Sequence, residues 1–162
     1  MNCQFFHYFC KDEETLDSFF ENVSSSLKQG GKFLVTCLDG NEVFSRLETN
    51  PILEGQYEGN VIWKITKKYS NERMKDNEEC LGMEIDVYLE SINQTITEYL
   101  VNNRYIIQKA RQFNLEIVET TSFKDLYDTI IASGKSYGDI SKINEISKDY
   151  SFMNNILVFK KI

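Results

Sequence analysis

Hydrophobic and polar positions alternate with different periods along the chain, and each period predicts a different element. Residues 1–10 (MNCQFFHYFC) are apolar and aromatic without polar alternation, which predicts a buried strand and the turn leaving it. Asp12 then has the form of a helix N-cap, with Glu13 and Glu14 in the first turn, where the helix dipole favours acid. Leu16, Phe19, Phe20, Val23 and Leu27 recur at helical spacing and predict an amphipathic helix stopped by Gly30 and Gly31. The run KFLVTCL (32–38) reads as a buried strand, and Asp39-Gly40-Asn41 as a turn. Helix, glycine pair and strand in this order are the grammar of an α/β crossover.

The middle of the chain follows another rule. Residues 60–69 and 82–90 alternate apolar with polar and flank a charged loop, as two antiparallel strands with one wet face do. A helix is predicted after Thr97-Glu98, through about Phe113, then a strand over 115–120. Ser122 is read as the cap of a helix that gathers Phe123, Leu126, Tyr127, Ile130 and Ile131 on one side and ends at Gly134. Residues 135–151 read as a polar loop with a helical turn, and 154–160 as a last strand.

Composition narrows the class. A chain of 162 residues and 19.0 kDa, 41% hydrophobic and 27% charged, has room for one folded core and is too apolar for disorder. No apolar run approaches the ~20 residues of a membrane helix, and nothing at the start reads as a targeting leader, which predicts a soluble protein. The net charge of -7 argues against affinity resting on long stretches of nucleic-acid backbone. Residues 61–75 differ, with Lys64, Lys67, Lys68, Arg73 and Lys75 against Glu72 alone. That stretch suits either a phosphate contact or the solvated face of a hairpin, and the second is the favoured reading. Cys3, Cys10, Cys37 and Cys80 form no CxxC pair, and one histidine cannot complete a local zinc set, so the expectation is free thiols, a reducing intracellular compartment and no metal.

The familiar catalytic signatures are missing from the sequence. There is no GxG, GxxxxGK[ST], GxSxG or HExxH, and His7 alone leaves little room for a Ser-His-Asp relay. Residues by themselves lead to an α/β domain.

Several blocks in order go further. CQF-F-HY (3–8) followed by LKQGGKFLVTCLDG (27–40) resembles the mRNA cap guanine-N7 methyltransferases, whose pattern there is Cys-Gln-Phe-x-x-His-Tyr, a helix, then Leu-x-x-Gly-Gly-x-Phe-x-x-Thr-x-x-(Asp/Asn)-Gly. GMEIDVYLE (82–90) is similar to the family's antiparallel insert, and TEYLV (97–101) to its Pro-Glu-Tyr-Leu-Val motif. Residues 106–128 and 155–161 are similar to its later helix, strand and closing strand. The flavour is that of viral or cytoplasmic capping enzymes.

The resemblance implies an α/β fold of the class I, Rossmann-like methyltransferase type, with residues 1–162 as the C-terminal portion of the domain, lacking the first strands and carrying an antiparallel strand insert. The glycine-rich turn and the acidic residue that grip S-adenosylmethionine belong to the missing strands, so a fragment, a split gene product and one chain of a two-chain enzyme all stay open. An unpaired apolar sheet edge is expected to cause association of the isolated chain. The implied activity is methyl transfer from S-adenosylmethionine to N7 of the cap guanine at the 5′ end of mRNA, with the missing N-terminal half of the domain as partner. Because N7 has no proton to lose, no general base is implied; positioning and electrostatics carry the reaction. Glu98 matches the glutamate that accepts from the guanine Watson–Crick edge, His7 and Tyr8 match the cap-pocket His-Tyr, and Gln4 and Phe5 match positions beside the cofactor.

This sequence departs from the pattern in four places. Only Phe6 separates Phe5 from His7, Thr97 and Leu38 stand where prolines are common, and no aromatic falls at the cap-stacking position near 154–156, although Tyr150 and Phe152 lie close by in sequence. Plainer readings also stand. His7 suits a packed core histidine, Glu98 suits a first-turn helix carboxylate behind a Thr97 cap, and the whole chain suits a non-catalytic interaction module that keeps the fold, or an unrelated α/β protein.

Overall fold

In the computed structural model, which describes residues 1–134 and 142–162, polar side chains set the start of nearly every helix. Asp12 Oδ1 accepts from Thr15 N at 2.8 Å and opens α1 (Glu13–Ser26), whose Leu16, Phe20 and Val23 are buried. Asp39 Oδ1 accepts from the amides of Asn41 and Glu42 and opens α2 (Gly40–Thr49). Asn102, Ser122 and Asn144 do the same for α3 (Asn103–Arg111), α4 (Phe123–Ala132) and α5 (Glu145–Phe152). Each satisfies amides that the first helical turn would otherwise leave unpaired.

The strands form two four-stranded sheets. In the first, β1 (Asn2–Cys3) lies parallel to β2 (Lys32–Leu38), which is followed by β8 (Asn154–Lys161) and β7 (Leu115–Ser122). β8 is antiparallel to both neighbours, so β2 and β7 run the same way. The second sheet is an antiparallel meander of β3 (Ile52–Tyr57), β4 (Asn60–Lys67), β5 (Glu84–Leu89) and β6 (Gln94–Tyr99). Phe6, Leu16, Phe20, Phe33 and Phe159 are fully buried between α1 and the first sheet, where each aromatic ring contributes about 1.5–3 kcal/mol. Leu47, Trp63, Ile65, Ile85, Leu100 and Met153 form the second core.

The predicted α1, β2, β4, β5, β7, α4 and β8 are present, and other segments need correction. Residues 1–10 are not one strand. After Asn2–Cys3 the chain turns into a 3-10 helix, Phe6–Cys10, because Phe6 and Cys10 face the core while Phe5 and Tyr8 stand exposed. Asp39-Gly40-Asn41 is the cap of α2 rather than a free turn. Thr97 and Glu98 belong to β6 rather than to a helix, since both pair across to β5 and the helical turn starts only beyond Asn102. β3 has no clear alternation in sequence and was not expected. α4 carries its apolar side as expected, with none of its residues buried. Of the loop expected over 135–151, residues 135–141 lie outside the described residues, and Glu145–Phe152 is α5.

The basic stretch is the paired face of a hairpin. Lys64 lies 3.9 Å from Glu54, Lys68 3.3 Å from Asp86 and Lys75 2.6 Å from Glu79, while Lys67 sits 4.7 Å above the Tyr69 ring. All four cysteines are free thiols, and among the described residues no cluster is arranged to hold a metal ion. No described helix is long and apolar enough to cross a membrane.

One close approach ties α5 to the meander. The Trp63 indole lies across Gly55, where an added Cβ would fall 2.2 Å from Nε1, and that Nε1 donates to Ile146 O at 2.8 Å. Gly55→Ala is therefore expected to lower stability by about 2 kcal/mol, the scale of an overpacked core. A urea melt coinciding with that of the parent protein would show that Trp63 can move aside.

Candidate functional site

The two sheets meet at a cleft beside the carboxyl end of β2, the edge at which open α/β sheets hold ligands. It encloses about 330 Å³ and is lined by Gln4, His7, Thr36, Cys37, Leu38, Glu98, Phe123, Tyr150, Ser151 and Asn154.

Local structure fixes each polar group. Phe6 and Cys10 anchor the short 3-10 helix in the core, and Tyr8 N donates to Phe5 O at 3.2 Å, which leaves His7 at the cleft. In β6 the side chains alternate. Thr97 faces outward and donates to Asp86 at 2.8 Å, so Glu98 faces the opposite side, in register with the buried Ile85. Tyr150 comes from α5, where its ring packs 5.7 Å from Trp63. The Asn154 amide donates to the Tyr150 and Ser151 carbonyls at 3.2 Å each and steadies the end of that helix.

His7 Nδ1 lies 3.7 Å from Glu98 Oε2, beyond hydrogen-bond length, with 12% and 15% of the two side chains exposed. The contact has the geometry of a loose ion pair, yet burial drives each partner towards its neutral form. Desolvation lowers His7 to about 4 and raises Glu98 to about 7. Near pH 7 His7 is neutral and Glu98 is close to half ionised, so the two do not form a settled salt bridge. Burial, and then the Glu98 charge, push the Tyr150 phenol up. His7 Nε2 is buried with no hydrogen-bond partner. The site therefore holds a largely buried carboxylate, an imidazole 3.7 Å from it and an aromatic ring.

Of the residues singled out in the sequence, His7, Glu98 and Gln4 line this cleft. Tyr8 and Phe5 do not. Phe5 is 64% exposed and stacks on Tyr8 with ring centres 6.3 Å apart, and Tyr8 makes an edge contact with His7 at 4.3 Å. Of Tyr150 and Phe152, the aromatics near the expected cap-stacking position, Tyr150 lines the cleft and Phe152 does not, and Asn154 lines it too. The signal that points to Asn154 is its pairing with Leu38 at the carboxyl end of β2.

Residues 1–151 match the family model described as the mRNA (guanine-N(7))-methyltransferase domain. The chain belongs to that family. Over 93% of its length it is 30% identical to the probable mRNA-capping enzyme of Acanthamoeba polyphaga mimivirus, of which it spans 14%. It is 25% identical to the mRNA cap guanine-N(7) methyltransferase of Drosophila melanogaster over 83% of its length and 30% of that protein's. It thus spans less than a third of either relative. In fold it is similar to the crystal structure of a Listeria monocytogenes protein assigned to the S-adenosylmethionine-dependent methyltransferases, with a TM-score of 0.55 at 12% identity, covering 99% of this chain and 59% of that one.

Residues 1–162 contain no glycine-rich turn of the GxG kind, so they do not form a complete cradle for S-adenosylmethionine. Gln4 is the one residue matched to a cofactor position that opens onto the cleft.

Proposed function

We propose that this chain is the guanine-holding side of an S-adenosylmethionine-dependent mRNA cap guanine-N7 methyltransferase, and that its substrate is the capped 5′ end of mRNA. The convergence of Glu98 and His7, from segments far apart in sequence, on one cleft beside Tyr150 carries the reading.

A largely buried carboxylate whose charged form is disfavoured by desolvation is suited to a guanine. The base offers two adjacent N–H groups on its Watson–Crick edge, a bidentate match that adenine cannot supply. Accepting them restores to Glu98 the solvation it lost on burial and draws it into the ionised form. His7, neutral, presents its Nδ1 edge beside Glu98 and contact area, while Nε2 stays buried and Tyr8 packs against the ring. Tyr150 supplies a ring face for the base. These groups hold guanine still, and methyl transfer to N7 then needs no proton removed by the protein. S-adenosylmethionine, when bound, supplies the electrophilic methyl group.

The donor's glycine-rich cradle is assigned to polypeptide outside residues 1–162, in the same or a separate chain. The outer edge of β1 and the exposed Phe5 and Tyr8 beside it are the surface for that half, with Gln4 and Phe5 meeting the donor once it docks.

Isothermal titration of a GpppG cap analogue into the enzyme assembled with its glycine-rich half tests the reading. Saturable binding that vanishes in Glu98→Ala is expected. Folded, assembled protein that takes up no cap analogue would point to an interaction module without catalysis.

A further inference from the structure

Tyr150 and Ser151 wall a second recess as well as the cleft. It measures about 280 Å³ and is lined on its far side by Ile62, Trp63 and Leu89 with Glu90, Ser91 and Ser147. We infer that this recess is the subsite for the nucleoside next to the cap, the first transcribed nucleoside of the RNA. The inference rests on the cap-guanine reading of the cleft.

Spacing is the first argument. Glu98 and Gln94 lie on one face of β6, and Gln94 pairs with Leu89, which pairs with Trp63. Four residues of strand and one or two strand spacings put the second recess about 14–16 Å from the guanine carboxylate. That is too far for the guanosine itself and in reach of a second nucleoside joined through a triphosphate bridge. Every capped RNA that seats its guanine against Glu98 carries such a nucleoside.

Lining chemistry is the second. Trp63 backs the recess but is 3% exposed, with Nε1 committed to Ile146 O, so Ile62, Leu89 and the Tyr150 ring offer the apolar surface for a base. Ser91, Ser147 and Ser151 supply hydroxyls suited to a ribose. Glu90 at the rim disfavours phosphate and accepts from a sugar hydroxyl or a base N–H. The recess therefore suits the neutral sugar and base, while the bridge passes along the wall formed by Tyr150 and Ser151.

Comparing GTP with GpppA by isothermal titration into the assembled enzyme tests the assignment, because both carry guanosine triphosphate and only GpppA carries the second nucleoside. GpppA is expected to bind about ten-fold more tightly, the scale of one base packed on an aromatic side chain. Ser91 is exposed on the turn between β5 and β6, so Ser91→Trp fills the recess without touching the core. It should weaken GpppA until the two ligands differ by less than about two-fold. Glu98→Gln should weaken both ligands together. Equal affinity for GTP and GpppA in the parent protein, or a preference that survives Ser91→Trp, overturns the subsite while leaving the guanine site standing. Failure of both ligands to bind the parent protein overturns the guanine site and the subsite with it.

Discussion

Glutamine in place of Glu98 is expected to weaken cap binding by about 100-fold and, at pH 8, to raise the melting temperature of the protein. The loss follows from chemistry: a side-chain amide offers one acceptor where the carboxylate offers two, and its NH₂ opposes a guanine donor. Two hydrogen bonds to a charged group exchanged for one plus a repulsive contact cost about 3 kcal/mol, or about two orders of magnitude in affinity. The gain follows from burial. Because the folded-state value of Glu98, about 7, lies above its ordinary 4.5, the fold favours the protonated acid. That contribution is complete below pH 4.5 and is lost as pH rises through 7. Glutamine imitates the protonated form at every pH. The variant should therefore melt level with the parent near pH 4 and about 5 °C higher at pH 8, reflecting about 2–3 kcal/mol of relieved desolvation. His7 works in the opposite direction, since its value is lowered to about 4, and its contribution is present above pH 6.5 and lost as pH falls through 4. Affinity for the cap should fall about ten-fold per unit below pH 7 in the parent protein and stay flat in the variant. Melts at the two pH values with parallel cap titrations decide the matter. Equal melting at pH 8 would mean that Glu98 is well solvated.

Alanine at Gly40 is expected to cost about 3 kcal/mol of stability and to take cap affinity down with it. An added Cβ would lie 2.5 Å from Val101 O and 2.7 Å from Val101 N, contacts with main chain that no rotamer relieves. Gly40 N also donates to Val101 O at 3.0 Å, and Leu100 N donates to Met83 O at 2.9 Å. The first fastens the chain just beyond β6 against α2, and the second ties it to the start of β5. Forcing Val101 away shifts the strand that carries Glu98. Urea denaturation and cap titration of the same variant read the two effects, and lost stability with unaltered affinity would show that the two are separable.

What the sequence reveals depends on whether a local pattern has one structural meaning. Leu16, Phe20 and Val23 repeat at a single period with a cap before them and glycines after, so α1 is legible; KFLVTCL is legible for the same reason. Asp39-Gly40-Asn41 is not, because the same residues suit a turn or a cap, and what selects the cap is contact with Val101, distant in sequence. Thr97-Glu98 looks like a helix start until the hydrogen bond of Thr97 to Asp86 is known. The stripe on α4 has a genuine helical period, but periodicity does not say whether anything covers it. Within the site, His7 and Glu98 can be named because their neighbours match a family pattern block by block. Tyr150 and Phe152 stand equally near the stacking position in sequence, and contacts with Trp63 and Asn154, from other elements, are what set Tyr150 at the cleft.

The thiols of this protein are unequal. Burial pushes Cys10 well up and raises Cys37 and Cys80 to about 12, which leaves all three almost without thiolate at neutral pH. Cys3, half-buried in β1 and adjacent to Gln4, is the one the fold has not sealed away. Cys3 is thus the chemical handle left on the edge strand of the first sheet, and a dye attached there would report on anything that pairs with that edge.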